Sequence, residues 1–438
     1  MMRIKHLLLS ACLILVSATA GNVKAKPDIQ SWETEQGAKV YFVESNILPM
    51  VDVRIVFDAA GSRDGSLPGL AMLTNGLLSE GAAGKNAQQL AESFESVGAQ
   101  FSNDSLRDMA YLGVRTLTEK KYMDKAIATL ADVLVRPDFP QHAFQRELAR
   151  MQVALEARRQ SPSDIAEETF FKAVYGDHPY AFPVGGTEQS LNSITLDDIK
   201  AFYQQYYVAS NAIIAIIGAV NRMEAEAMVN KLLEGLPAGR KPQPLPAVPD
   251  LDQAKTVKIE FPSKQSHIYV GQPGMKRNDE DFFKLFVANH PFGGSGFASR
   301  LVEVIREQRG LAYSVSSYFS PMRERGPFLM SLQTRADQTD EALSLLRSEL
   351  ENYVTDGPSR EELEASISNI TGSFPLNLDS NSKMLGYLAM IGFYSLPEDF
   401  LDTYIDNISK VDREDVRNVL KDRIDIDSMV TVIVGNGD

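Results

Sequence analysis

Cysteine is almost missing from this sequence: Cys12 is the single thiol in 438 residues. A disulfide framework is therefore excluded as a source of stability. Histidine is scarce as well. His6, His142, His178, His267 and His290 are the only five, and no two stand at metal-ligand spacing. Basic residues are outnumbered, 44 Lys and Arg against 58 Asp and Glu, for a formal net charge of -14. That balance removes the cationic footprint that sequence-independent nucleic-acid binding needs. It leaves room for steering of cationic peptides, although net charge by itself mainly reports solubility. GxSxG elbows and P-loops are both lacking. Beyond the first 25 residues, no apolar run approaches the roughly 18 residues of a membrane span, so a soluble mature protein is expected.

What is present is ordinary globular composition, 44% hydrophobic and 23% charged, at a length that suits two or three domains. The N-terminus reads as an export signal. Arg3 and Lys5 precede the apolar stretch Leu7 to Val16, and small residues follow at Ala18-Thr19-Ala20 and again at Val23-Lys24-Ala25. Cleavage after Ala20 or Ala25 is expected, with a periplasmic destination. Leu9-Ser10-Ala11-Cys12 has the form of a lipoprotein box, but the apolar run continues past Cys12, so ordinary cleavage is the preferred reading.

A proline-rich stretch from Leu236 through Pro246 to Pro249 divides the chain. Proline favours extended backbone and donates no main-chain hydrogen bond, as befits a linker. The expected division is a leader over 1–25, domains over 26–235 and 255–438, and a linker over 236–254. The two halves read as copies. Twenty residues separate Asp198 from Gly218, and twenty separate Asp415 from Gly435; in each case a capped helix leads into an apolar strand. Val51, Val53, Ile55 and Phe57 alternate as in a strand with one buried face. Leu90, Phe94 and Val97, and also Phe144, Leu148, Met151 and Leu155, have helical spacing. The fold class is therefore α+β, two mixed α/β domains related by duplication.

Two segments resemble one family. Leu48 through Arg63, followed by Gly69-Leu70-Ala71, is similar to the insulinase, pitrilysin and mitochondrial-processing-peptidase superfamily of zinc peptidases. Members of this superfamily follow that tripeptide with the inverted motif HxxEH. Two histidines one helical turn apart grip zinc, the glutamate acts as general base on the metal-bound water, and a downstream glutamate completes the ligands. Here Met72 and Gly76 stand at the histidine positions and Asn75 at the base position. Aligning Phe144 and Pro162 with the family pattern keeps an acid at Glu147 but puts Ala154 where the last ligand belongs. Methionine is a soft ligand, glycine and alanine offer none, and asparagine cannot take a proton as a carboxylate does.

The second segment runs from Phe292-Gly293-Gly294-Ser295-Gly296-Phe297 through Arg306 to Tyr313, and its pattern implies a glycine turn, an amphipathic helix and a strand. Its glycines could in principle cradle phosphate, but a turn or chamber wall is the simpler expectation. In the family an arginine and a tyrosine of this region hold the substrate backbone opposite the zinc of a facing domain; Arg306 and Tyr313, seven residues apart, match that pair. A planar guanidinium and a phenol aimed at one carbonyl oxygen form an oxyanion-type clamp. The resemblance spans essentially the whole chain from about Lys26. It implies half of a clamshell chamber, a non-catalytic subunit that binds no cofactor of its own, and a heterodimer with an HxxEH-bearing paralogue that carries the zinc. The alternatives are an inactive scaffold or peptide-binding homodimer, and a lone peptidase with a displaced metal site.

Overall fold

The computed structural model describes residues 28–436; the expected leader and Cys12 lie outside them. Among the described residues, no helix is long and apolar enough to cross a membrane. Two sheets organise the chain. The first begins with β1 (Gln30–Glu33), β2 (Lys39–Glu44) and β3 (Met50–Phe57). A small separate hairpin follows, β4 (Gly81–Ala82) with β5 (Lys85–Asn86). Then β6 (Gln100–Ser105), β7 (Ala110–Leu117) and β8 (Ala212–Gly218) complete the first sheet, in the order β1-β2-β8-β3-β7-β6. The second sheet comprises β9 (Lys255–Phe261), β10 (Gln265–Pro273), β11 (Ser314–Phe319), β12 (Pro327–Arg335) and β13 (Val430–Asn436), in the order β11-β12-β10-β13-β9.

Duplication is visible in these orders. Removing β1 leaves β2-β8-β3-β7-β6 against β9-β13-β10-β12-β11. In both, the first pair is parallel and every later pair antiparallel. The matched sequence offsets have a local cause. Thr195 caps the Leu196–Tyr206 helix and Asp412 caps the Arg413–Arg423 helix, each in a reciprocal capping box with the aspartate three residues on, Asp198 or Asp415. Satisfying the first free N–H groups this way fixes where each helix begins.

The halves are interlocked. Alternate residues of the first sheet face different cores. Val40, Phe42, Ile214 and Ile216 face the helices of their own half, while Tyr41, Val43, Ala215 and Ile217 join the core of the second half. The Asn381–Tyr394 helix, from the second half, covers that other face by packing on β2, β3 and β8. Reciprocally, the Pro162–Tyr175 helix packs on β10 and β13, where Phe170, Phe171 and Val174 meet Leu329, Val430, Val432 and Val434. β3 thus has two covered faces rather than the single one its alternation suggested. Val53, Ile55 and Phe57 line the first core, and Val56 lines the second.

The segment joining the halves is strapped down along its length. Pro237 and Ala238 accept from the amides of Ala209 and Ser210 at 2.8 and 2.9 Å. Arg63 donates to the Gln243 carbonyl at 2.8 Å and Arg325 to that of Val248 at 2.6 Å. Leu245 and Val248 are buried against the Pro162–Tyr175 helix and the second sheet.

Candidate functional site

The Leu70–Leu77 helix carries Met72, Asn75 and Gly76, the residues that the family resemblance aligns with the zinc motif. Asp64 starts it, accepting from the amides of Gly69 and Ala71 at 2.7 Å each. These bonds satisfy two of the donors that every helix start leaves free. Met72 is 37% exposed, and a side chain at Gly76 would meet nothing within 4 Å. Asn75 instead points into the core. Its amide nitrogen donates to the Tyr111 carbonyl at 3.3 Å and to the Tyr207 hydroxyl at 3.2 Å. A carbonyl only accepts, so the nitrogen must face it. Tyr207 lies between Phe57 and Tyr203, and burial pushes its hydroxyl well above the usual phenol range.

The Gln141–Arg159 helix packs against this one and brings Ala154 to an exposed position. Glu147 on the same helix is paired with Arg150 at 2.9 Å and Arg146 at 3.4 Å. Among the described residues, no group of three histidine, cysteine or acidic side chains is arranged to hold a metal. The donors present do not fit zinc: a thioether, an amide already bonded to protein, and two positions without donor atoms. His178 is a structural histidine. Its Nδ1 accepts from the Tyr180 amide at 3.1 Å and its Nε2 lies 2.9 Å from the Pro246 carbonyl, which assigns the ring proton to Nε2. Burial pulls its pKa below the ordinary histidine value.

The second set lies on the other sheet. After β10 the Phe282–Asn289 helix passes into a π-helical turn, His290–Gly294, then a 3-10 turn, Gly296–Ala298, and a second π-helical stretch, Val302–Gln308. The periodicity of this last stretch suggested an ordinary amphipathic helix. The wider π winding differs from that expectation, and such winding is rare and frequent at functional sites. Gly293 permits a close approach here, because a Cβ on it would fall 2.3 Å from the Ser317 hydroxyl and 2.5 Å from the Ser317 amide. Arg306 is on the second π stretch, half-buried, and Tyr313 is 56% exposed just before β11. The Tyr313 amide donates to the Gln333 carbonyl at 2.9 Å, tying it to β12. β11 is the edge of its sheet and the Val302–Gln308 stretch packs against it, so Arg306 and Tyr313 belong to segments beside a strand with an unpaired side.

Comparison with known proteins identifies the family. Residues 40–188 match the family described as "Insulinase (Peptidase family M16)", and residues 193–370 match "Peptidase M16 inactive domain". A crystal structure described as the peptidase M16 inactive domain from Pseudomonas fluorescens is 36% identical, with a TM-score of 0.91 over 94% of this chain and 99% of that one. The chain belongs to peptidase family M16. A Helicobacter pylori relative named "Non-peptidase homolog YmxG" is 27% identical, covering 91% of each chain. Another from Bacillus subtilis, named "Uncharacterized zinc protease YmxG", is 27% identical over 81% of this chain and 86% of its own. Met72, Gly76 and Ala154 offer no donor suited to zinc, and Asn75 has no carboxylate to act as a base.

One neighbour of Arg306 escaped sequence reasoning. Phe297 is 80% exposed, with its ring centre 5.1 Å from the Arg306 guanidinium carbon. A bulky aromatic residue inside a glycine run was the signal available for it.

Proposed function

We propose that this M16 chain is the non-catalytic, substrate-binding subunit of a heterodimeric zinc peptidase, exported to the periplasm. Its partner is a paralogous subunit bearing HxxEH and the zinc. The observation that carries this reading is the contrast between the two sites. The Leu70–Leu77 helix has turned its base position into a core hydrogen bond through Asn75. Arg306, half-buried, and Tyr313, exposed, remain within reach of solvent beside β11. A guanidinium and a phenol reaching one peptide carbonyl would hold the backbone and stabilise negative charge growing on that oxygen. Binding and orientation fall to this chain, and hydrolysis to the partner.

The test is reconstitution with an HxxEH-bearing paralogue from the same source, with peptidase activity and bound zinc measured before and after mixing. Activity and zinc are expected only in the mixture. Arg306→Ala is expected to lower the activity of the assembled complex about 10-fold or more, the size of a lost hydrogen bond from a charged donor. An assembled Arg306→Ala complex with undiminished activity refutes the clamp. Zinc bound stoichiometrically by this chain alone refutes the division of labour.

A further inference from the structure

We infer that Phe297 is a positioning residue that holds Arg306 ready for a peptide carbonyl; this rests on the substrate-binding role proposed above. Phe297 is 80% exposed, yet the turn that presents it is tightly fixed. Ser299 is buried, and its hydroxyl donates to the Gly296 carbonyl at 2.7 Å. Arg300 grips Glu362 through two bonds of 3.0 and 2.8 Å. Single exposed apolar side chains are common on protein surfaces, but this ring has a neighbour that gives its place a reason.

Arg306 supplies that reason. Its ion-pair neighbour is Glu307, at 3.5 Å, and both side chains are partly open to solvent. An exposed pair of that kind fixes a side chain weakly. The Phe297 ring, 5.1 Å from the guanidinium carbon, offers the electron-rich face that attracts a cation within about 6 Å. Stacking on that face leaves the in-plane N–H donors of the guanidinium free. An arginine already held in place gives up less rotamer freedom when it grips a ligand. The π-helical winding of Val302–Gln308 and the turn at Gly296–Ala298 bring ring and cation together.

The experiment measures binding of fluorescein-labelled β-casein, an unfolded polypeptide, to the purified protein by fluorescence anisotropy. Phe297→Leu is expected to weaken binding roughly 2- to 5-fold, the worth of an exposed cation–π contact. Phe297→Tyr and Phe297→Trp, which keep an aromatic face, are expected to bind as the unsubstituted protein does. In an Arg306→Ala background, Phe297→Leu should cause no further loss, because a double-mutant cycle isolates the coupling between the two. Equal binding by Phe297→Leu, or an equal loss in the Arg306→Ala background, overturns the inference and leaves the proposed function standing. If Arg306→Ala itself binds casein normally, or the unsubstituted protein does not bind it, the proposed function falls and this inference with it.

Discussion

Asn75 is a buried polar residue held by the core it faces. Its nitrogen serves two acceptors, the Tyr111 carbonyl and the Tyr207 hydroxyl. Asn75→Asp would set a carboxylate, which only accepts, against a buried carbonyl. A loss of about 1–3 kcal/mol is expected, the cost of an unsatisfied buried group, and urea unfolding at pH 7 would measure it. Unchanged stability would mean that Tyr207 and its surroundings re-pair freely. His178 makes a second prediction at this scale. Burial lowers its folded pKa, so its contribution is fully present above the unfolded value of about 6.5. It is lost as pH falls from there through the lower folded value. The urea midpoint should therefore drop on acidification below about pH 6.5. His178→Gln should flatten part of that drop, while His267 and His290, whose pKa values burial also lowers, keep the remainder.

Helices and strands differ in how far they could be read from the sequence. β3 and β8 were legible because their apolar residues are contiguous or alternate, and the Leu196–Tyr206 and Arg413–Arg423 helices were legible from their caps. Family membership was legible because Gly69-Leu70-Ala71 and the segment from Arg306 to Tyr313 match motifs at fixed spacing. Exchange of the Pro162–Tyr175 and Asn381–Tyr394 helices was not legible. An amphipathic pattern says that a face is buried, not which sheet buries it. Gly392 records the exchange in the structure: a Cβ on it would lie 2.4 Å from the Ile213 side chain and 2.6 Å from the Tyr41 ring. Gly392→Val should therefore destabilise the protein by about 1–3 kcal/mol through overpacking, seen as a lower thermal midpoint. A midpoint equal to that of the unsubstituted protein would show that Tyr41 and Ile213 yield without cost.

At the scale of the whole molecule, exchange of helices makes each half incomplete. A polar seam adds to this. Asp108 accepts from the Tyr180 hydroxyl at 2.6 Å, the Arg323 amide at 2.5 Å and the Tyr394 hydroxyl at 3.3 Å, so one carboxyl ties the first half to two places in the second. Burial pushes that carboxyl up, against these donors. Nearby, Arg63 holds Asp58 through two bonds of 2.7 and 2.6 Å while also reaching the linker at Gln243. Expressed alone, residues 26–235 would leave Tyr41, Val43, Ala215 and Ile217 without the Asn381–Tyr394 helix, and residues 255–438 would lose the cover of Phe170, Phe171 and Val174. Exposed contiguous apolar faces of that kind drive association. Each half alone is therefore expected to aggregate or bind a hydrophobic dye, whereas co-expression should yield a soluble complex that unfolds in one transition. A stable monomer with native near-ultraviolet circular dichroism from either half alone would refute the dependence. Because the halves hold each other in register, the position of β11, Arg306 and Tyr313 relative to the Leu70–Leu77 helix is then set by packing shared between the halves rather than by a hinge at the linker.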